Sequence, residues 1–137
     1  MGQLVLTEEE VRERFRKRQV GFYEFFHFNF EELTDDHLTI SLDCGDHMLN
    51  PLGNIHGGVL FTIGDQAAGV FAMAVGRGSV TLKGSMDYLR PGQVGMIYAT
   101  ARLIHRTKRT VLLEVDITQN DRRIAYGVYN FYVRTER

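Results

Sequence analysis

A His56-Gly57-Gly58 triplet and a single carboxylate, Asp65, eight residues beyond Gly57, are the residues of this chain with the clearest chemistry. From Ile55 to Gly76 the ionisable side chains are His56 and Asp65 alone, and the rest is apolar, glycine or small polar. A carboxylate in such a stretch costs free energy unless something uses it. If a helix starts at Gly57, its first N–H groups have no intrahelical acceptor and carry partial positive charge. Two glycines at that start leave the backbone open to a substrate carbonyl, which makes Gly57, with Gly58 beside it, a candidate oxyanion site for an acyl group. Asp65 would then be the nucleophile or general base.

Helix geometry constrains that scheme. Eight residues at ~1.5 Å each separate Gly57 and Asp65 by about 12 Å along one axis. Both cannot reach one carbonyl. Either they act separately or the site combines two helices; a two-fold dimer with antiparallel central helices would bring Gly57 of one subunit opposite Asp65 of the other, and a shared site therefore predicts at least a homodimer.

The elements that position these residues are legible from periodicity. Thr7-Glu8-Glu9-Glu10 reads as a capping box opening a short N-terminal helix, with Arg14, Arg16, Lys17 and Arg18 near its C-terminal end. The aromatic-rich run Phe22 to Phe30 is expected to be a first strand. Leu38, Ile40 and Leu42 alternate with Thr39 and Ser41 as a half-buried strand. Gly53 to His56 forms a turn. Gly57 to about Val75 is apolar on nearly every side, the pattern of a buried central helix whose glycines serve close packing. Strands follow through Val80, Leu82, Met86 and Tyr88, then through Ile97 to Leu103 and Val111 to Ile117. A hairpin turn at Asn120-Asp121 leads to a last strand from Ala125 to Val133. The order implies an α+β fold, an antiparallel sheet wrapped around one long helix.

Bulk properties narrow the classes. The 137 residues are expected to form a single domain, 1–137, with 44% apolar and 24% charged residues, which argues against disorder. A net charge of −1 argues against a nucleic-acid partner. The one cysteine, Cys44, cannot form an internal disulfide, so a cytoplasmic location is expected. Met1 to Glu10 lacks the basic-then-apolar order of a signal peptide. Gly57 to Gly76 has the length of a membrane span, but Asp65 at its centre and five glycines argue against one, and no membrane partner is expected.

The pattern Asn50-x-x-Gly53-x-x-His56-Gly57-Gly58, then Asp65 followed by small residues, resembles the hotdog-fold acyl-CoA thioesterases of the phenylacetate-pathway (PaaI-like) group. The resemblance extends through Val80-Thr81 and Tyr88-Leu89-Arg90-Pro91 and covers roughly Leu38 to Val133. It implies a hotdog thioesterase domain, a long helix wrapped by five or six antiparallel strands. It also implies active sites at a dimer interface, with dimers paired into homotetramers. The Gly57 amide would polarise the thioester carbonyl, and Asp65 of the neighbouring subunit would activate water or attack directly. Asn50 matches a position that holds the water or thioester, His56 one that contacts the thioester region or orders the loop, and Thr81 a hydroxyl near the attacking water. Gly64 departs from the family, which often has alanine or valine there, and Lys83-Gly84-Ser85 interrupts the apolar alternation of its strand.

Each residue also has a plainer role. Asp65 would pair with a cation, Gly57 and Gly58 would start a tightly packed helix, Asn50 before Pro51 would make a turn, and Thr81 would be an ordinary strand residue. Arg106-Thr107-Lys108-Arg109 reads as a solvated hairpin or, like Arg90, as a contact for coenzyme A phosphates through Arg106, Lys108 and Arg109. The phenylalanines at 22, 25, 26 and 28, with Tyr23, serve the core or line an acyl pocket. His47, Cys44, Asp43 and Asp46 lack metal-ligand spacing, so no metal is expected, nor any cofactor beyond coenzyme A as part of the substrate. The expected activity is hydrolysis of a small, medium-chain or aryl acyl-CoA. The alternatives are a non-catalytic acyl-CoA sensor, an acyl-thioester hydratase or dehydratase, and a purely structural oligomer.

Overall fold

Thr7 opens the first helix as its capping box predicts: its hydroxyl accepts from the Glu10 N–H at 3.1 Å, and the Glu10 carboxylate accepts from the Thr7 N–H at 2.9 Å. The computed structural model describes residues 3–134. Residues 1–2, part of the segment read for a signal peptide, and 135–137, the end of the expected domain, lie outside the described residues.

Helix α1 spans Glu8–Lys17 and buries Val11 and Phe15. Strands β1 (Asn29–Leu33) and β2 (His37–Cys44) precede the central helix α2 (Gly57–Gly76). After it come β3 (Gly78–Tyr88), β4 (Gly95–Arg106), β5 (Thr110–Gln119) and β6 (Arg122–Arg134). The six strands form one antiparallel sheet in the order β1-β2-β4-β5-β6-β3. Helix α2 packs against five of them, β2 to β6, so the sheet wraps the helix and the fold is the hotdog architecture. The alternation is exact enough along β5 to define the core: Val111, Leu113, Val115 and Ile117 are wholly buried against α2, with the intervening residues on the outer face. Asn120 and Asp121, with φ of 52° and 65°, make the two-residue turn into β6.

Phe22 to Phe30 does not form the expected strand. Gly21–Phe25 is a 3-10 turn, and β1 begins only at Asn29. Positive φ at Gly21 (60°) and His27 (57°) brackets the run and breaks the extended path. Its rings pack on one another instead of on a sheet, with Phe25–Phe26 centroids 5.0 Å and Phe22–Phe26 centroids 5.1 Å apart. The interrupted alternation in β3 has a structural counterpart. Pairing with β6 shifts register between Thr81 and Lys83, so Leu82 is the extra residue of a bulge.

Strand β3 lies at the sheet edge, with one side unpaired within the chain. It exposes Val80 and Leu82 to more than half of their surface. A long, apolar edge strand is a template for pairing with another chain.

Candidate active site

The loop before α2 is built by Asn50. Its side-chain oxygen accepts from the Leu52 and Asn54 N–H groups, at 2.9 and 3.1 Å, and Gly53, at φ 84°, closes the turn. The Ile55 N–H then bonds to Gly92 O at 2.9 Å, tying this loop to the segment between β3 and β4. His56 is the extended N-cap of α2, and its Nδ1 accepts from the Gly58 N–H at 2.8 Å. That bond requires an unprotonated Nδ1 and leaves the Gly58 amide occupied. The Gly57 N–H, by contrast, has no acceptor among the described residues. A bare N–H at the positive end of a 20-residue helix suits a developing oxyanion. Tyr88, donating from its hydroxyl to Gly57 O at 3.1 Å, fixes this peptide from the other side. Asn50, Gly57, Tyr88 and Arg90 share a cleft of about 300 Å³.

Asp65 lies two turns further along α2 and faces a different cleft, of about 140 Å³, shared with Thr81. Thr81 Oγ1 donates to Asp65 Oδ1 at 2.8 Å. Burial pushes the Asp65 carboxyl above the usual carboxylate range, and the Thr81 hydrogen bond draws it part of the way back. No cation pairs with Asp65 among the described residues, so the plain reading of it as half of a salt bridge has no support in the geometry. A partly desolvated carboxylate held by one hydroxyl has the chemistry to serve as a base or nucleophile.

Beneath Asp65 stands Tyr129 of β6, wholly buried, its hydroxyl donating to Phe61 O at 2.9 Å. Phe61 O is the carbonyl one turn before Asp65, so the tyrosine engages the helix where the carboxylate leaves it. A Cβ on Gly64 would lie 2.6 Å from that hydroxyl, and one on Gly84 2.7 Å from the ring. The departure at Gly64 is therefore room for Tyr129.

The expected residues are thus gathered into two places and left out of a third. Asn50, His56, Gly57, Gly58 and Arg90 surround the start of α2; Asp65 and Thr81 meet at its middle. Arg106 sits at the far end, where its Nη1 donates to Val75 O at 2.6 Å and caps the helix C-terminus. Lys108 and Arg109 are exposed in the β4–β5 hairpin beside it, a helix length of about 30 Å from Gly57. Sequence reasoning passed over Tyr88 and Tyr129 as site residues; Tyr88 stood in a quoted motif, whereas Tyr129 carried no signal beyond strand alternation. Among the described residues, no three His, Cys, Asp or Glu side chains cluster as metal ligands. Cys44 is buried, with its thiol pushed up to about 12 by that burial.

Comparison with known proteins gives a consistent set of likenesses. The family model described as the thioesterase superfamily matches residues 52–126. A Mycobacterium tuberculosis protein named as an esterase is 34% identical over 105 residues, 72% of this chain and 75% of its own length. The acyl-coenzyme A thioesterase PaaI of Escherichia coli is 32% identical over 85 residues, 61% of each chain. The solved PaaI structure superposes with a TM-score of 0.84 over 91% of each chain, at 21% identity. A Streptococcus pneumoniae protein named as a thioesterase and solved with coenzyme A is 30% identical, with a TM-score of 0.75 over 81% of this chain and 91% of that one.

Proposed function

Because this chain belongs to the thioesterase superfamily, as a hotdog-fold, PaaI-like thioester hydrolase, we propose that it hydrolyses a small, medium-chain or aryl acyl-CoA to the free acid and coenzyme A. The Gly57 N–H receives the thioester oxygen, and Asp65 of a second subunit acts as base or nucleophile. In the base route, Asp65 takes a proton from water and the oxygen adds to the carbonyl carbon. The resulting oxyanion is held at Gly57, and its collapse breaks the C–S bond and releases the thiol after protonation. Thr81 holds the Asp65 carboxylate, while Asn50, which lines the Gly57 cleft, orients water or thioester. His56 supports the site by capping the helix rather than by moving a proton.

One observation carries this reading: an unpartnered Gly57 N–H and a cation-free, part-buried Asp65 occupy two clefts of the same helix, each half of an acyl-transfer site. The free edge of β3 supports a two-fold partner that joins the halves. Pairing of dimers into a homotetramer, a cytoplasmic location and independence from any cofactor complete the proposal. The coenzyme A held by the pneumococcal relative supports coenzyme A as the leaving group here. Arg90, on the Gly57 cleft, is then the nearest cation for its phosphates, with Lys108 and Arg109 of another subunit further out.

Subunit mixing tests the shared site. Asp65→Asn and Gly57→Val homodimers should each release thiol from acyl-CoA at least about 10²-fold more slowly than the wild type. Co-refolded mixtures should regain turnover, because one site of each heterodimer is intact. Mixtures as inactive as their parents would show that the two residues do not act across an interface.

A further inference from the structure

The mechanism leaves three polar groups around Asp65 unused. Gln66, the next residue on α2, is only 6% exposed, and its side-chain amide has no hydrogen-bond partner among the described residues. Its polar atoms are not enclosed and stay open to the cleft. The Tyr23 hydroxyl, half-buried, likewise lacks a partner among the described residues. The third is Arg18, at the end of α1. Its neighbours are all engaged: Arg12 with Glu8, Arg16 and Lys17 with Glu13, and Arg14 with Arg77 O. The Arg18 guanidinium makes no ion pair or hydrogen bond among the described residues, and it lines the Asp65 cleft. The floor of that cleft is apolar, formed by Phe15, Val70, Met73 and Phe131.

We propose that the cleft beside Asp65 is the acyl pocket and that it selects a short acyl group bearing a carboxylate at its far end, read by Arg18, Tyr23 and Gln66. The inference rests on the acyl-CoA thioesterase reading of the same site. A guanidinium offers only donors, a phenol O–H and an amide NH₂ can both donate, and the complement of three converging donors is an anionic oxygen. The far end is set by the separation of the charges. Arg18 and Asp65 line the same cleft but form no ion pair, so the guanidinium and the carboxylate are not in contact. A substrate carboxylate bound at Arg18 is thereby kept off Asp65. A cleft of about 140 Å³, close to the ~150 Å³ cavity that holds benzene, suits a short acyl stem of about six carbons.

The test uses a matched pair of thioesters, adipoyl-CoA and hexanoyl-CoA, equal in carbon number and differing in the terminal carboxylate. The wild-type protein should favour adipoyl-CoA in kcat/KM by at least about tenfold, the effect of one charge-assisted hydrogen bond. Arg18→Met should lower the adipoyl-to-hexanoyl ratio by at least about tenfold, and Tyr23→Phe should lower it by less. A wild-type ratio of one or below overturns the proposal, as does a ratio unmoved by Arg18→Met, while leaving the thioesterase reading intact. Absence of thiol release from these and all other acyl-CoA thioesters overturns both.

Discussion

Replacing Asp65 by asparagine should destroy activity and raise stability, and the two effects share one cause. Burial holds the Asp65 carboxyl above the usual carboxylate range, so the fold disfavours its charged form. A group with a raised folded-state value contributes its full stability when protonated, below its unfolded value, and loses that contribution as pH rises through the folded value. At pH 7 the wild-type protein therefore carries the cost of a partly desolvated charge. Asparagine keeps the shape and an oxygen that can still accept from Thr81 Oγ1, now 2.8 Å from Asp65 Oδ1, but carries no charge at any pH. Asp65 is not fully enclosed, so solvent moderates this penalty without removing it. Each ~1 kcal/mol of penalty relieved corresponds to a rise in Tm of about 3–5 °C for a chain of this size. Thermal melts from pH 3.5 to 8 should show the variant above the wild type at neutral pH, with the two curves converging below about pH 4, where both side chains are neutral. In the same preparations, kcat for acyl-CoA hydrolysis should fall by about 10²–10⁴ as a general base is lost. A variant that is less stable at pH 7 would refute the burial argument. One that retains turnover within a few-fold would refute the chemistry.

Three further substitutions probe the supports of the site. Thr81→Val removes the hydrogen bond that draws the Asp65 carboxyl back down, so the acid limb of the kcat/KM profile should move to higher pH; an unmoved limb would detach Thr81 from the reaction. Tyr129→Phe keeps the ring but frees Phe61 O, and should cost about 1 kcal/mol in urea unfolding together with a loss in kcat at nearly constant KM. Arg106→Met separates two roles: a helix cap predicts a stability loss of about 1–2 kcal/mol with KM for acyl-CoA unchanged, whereas a phosphate contact predicts a raised KM with unchanged stability.

Much of the fold was legible because its signals are periodic. The alternation of Val111, Leu113, Val115 and Ile117, the all-round apolarity of Gly57 to Gly76 and the Thr7 capping box each depend on neighbours in sequence. The aromatic run from Phe22 to Phe30 misled for the opposite reason. Strand propensity describes a side chain resting on a sheet, but these rings find one another and His47, and two left-handed residues at 21 and 27 turn the chain aside first. The order of strands across the sheet was not legible either. Strand β3 follows α2 directly yet pairs with β6, the last strand, and that choice alone leaves its apolar edge free for a second chain.

The candidate site divides along the same line. His56, Gly57 and Asp65 lie on one continuous segment, so their spacing could be read, and helix rise keeps Gly57 and Asp65 of one chain from sharing a carbonyl. What holds them could not be read, because each support comes from elsewhere in the chain. Tyr88, 31 positions beyond Gly57, bonds to its carbonyl, and Tyr129, 68 positions beyond Phe61, bonds to that one. Glycine content was readable as close packing, but not its object. Gly64, Gly84 and Gly127 come from three different elements, and a Cβ on any of them would fall within 2.9 Å of Tyr129. Three side chains are absent so that one phenol can stand under the turn carrying Asp65. The same close packing that makes α2 look like an inert core helix therefore sets the position of its one carboxylate, and the site is as rigid as the core beneath it.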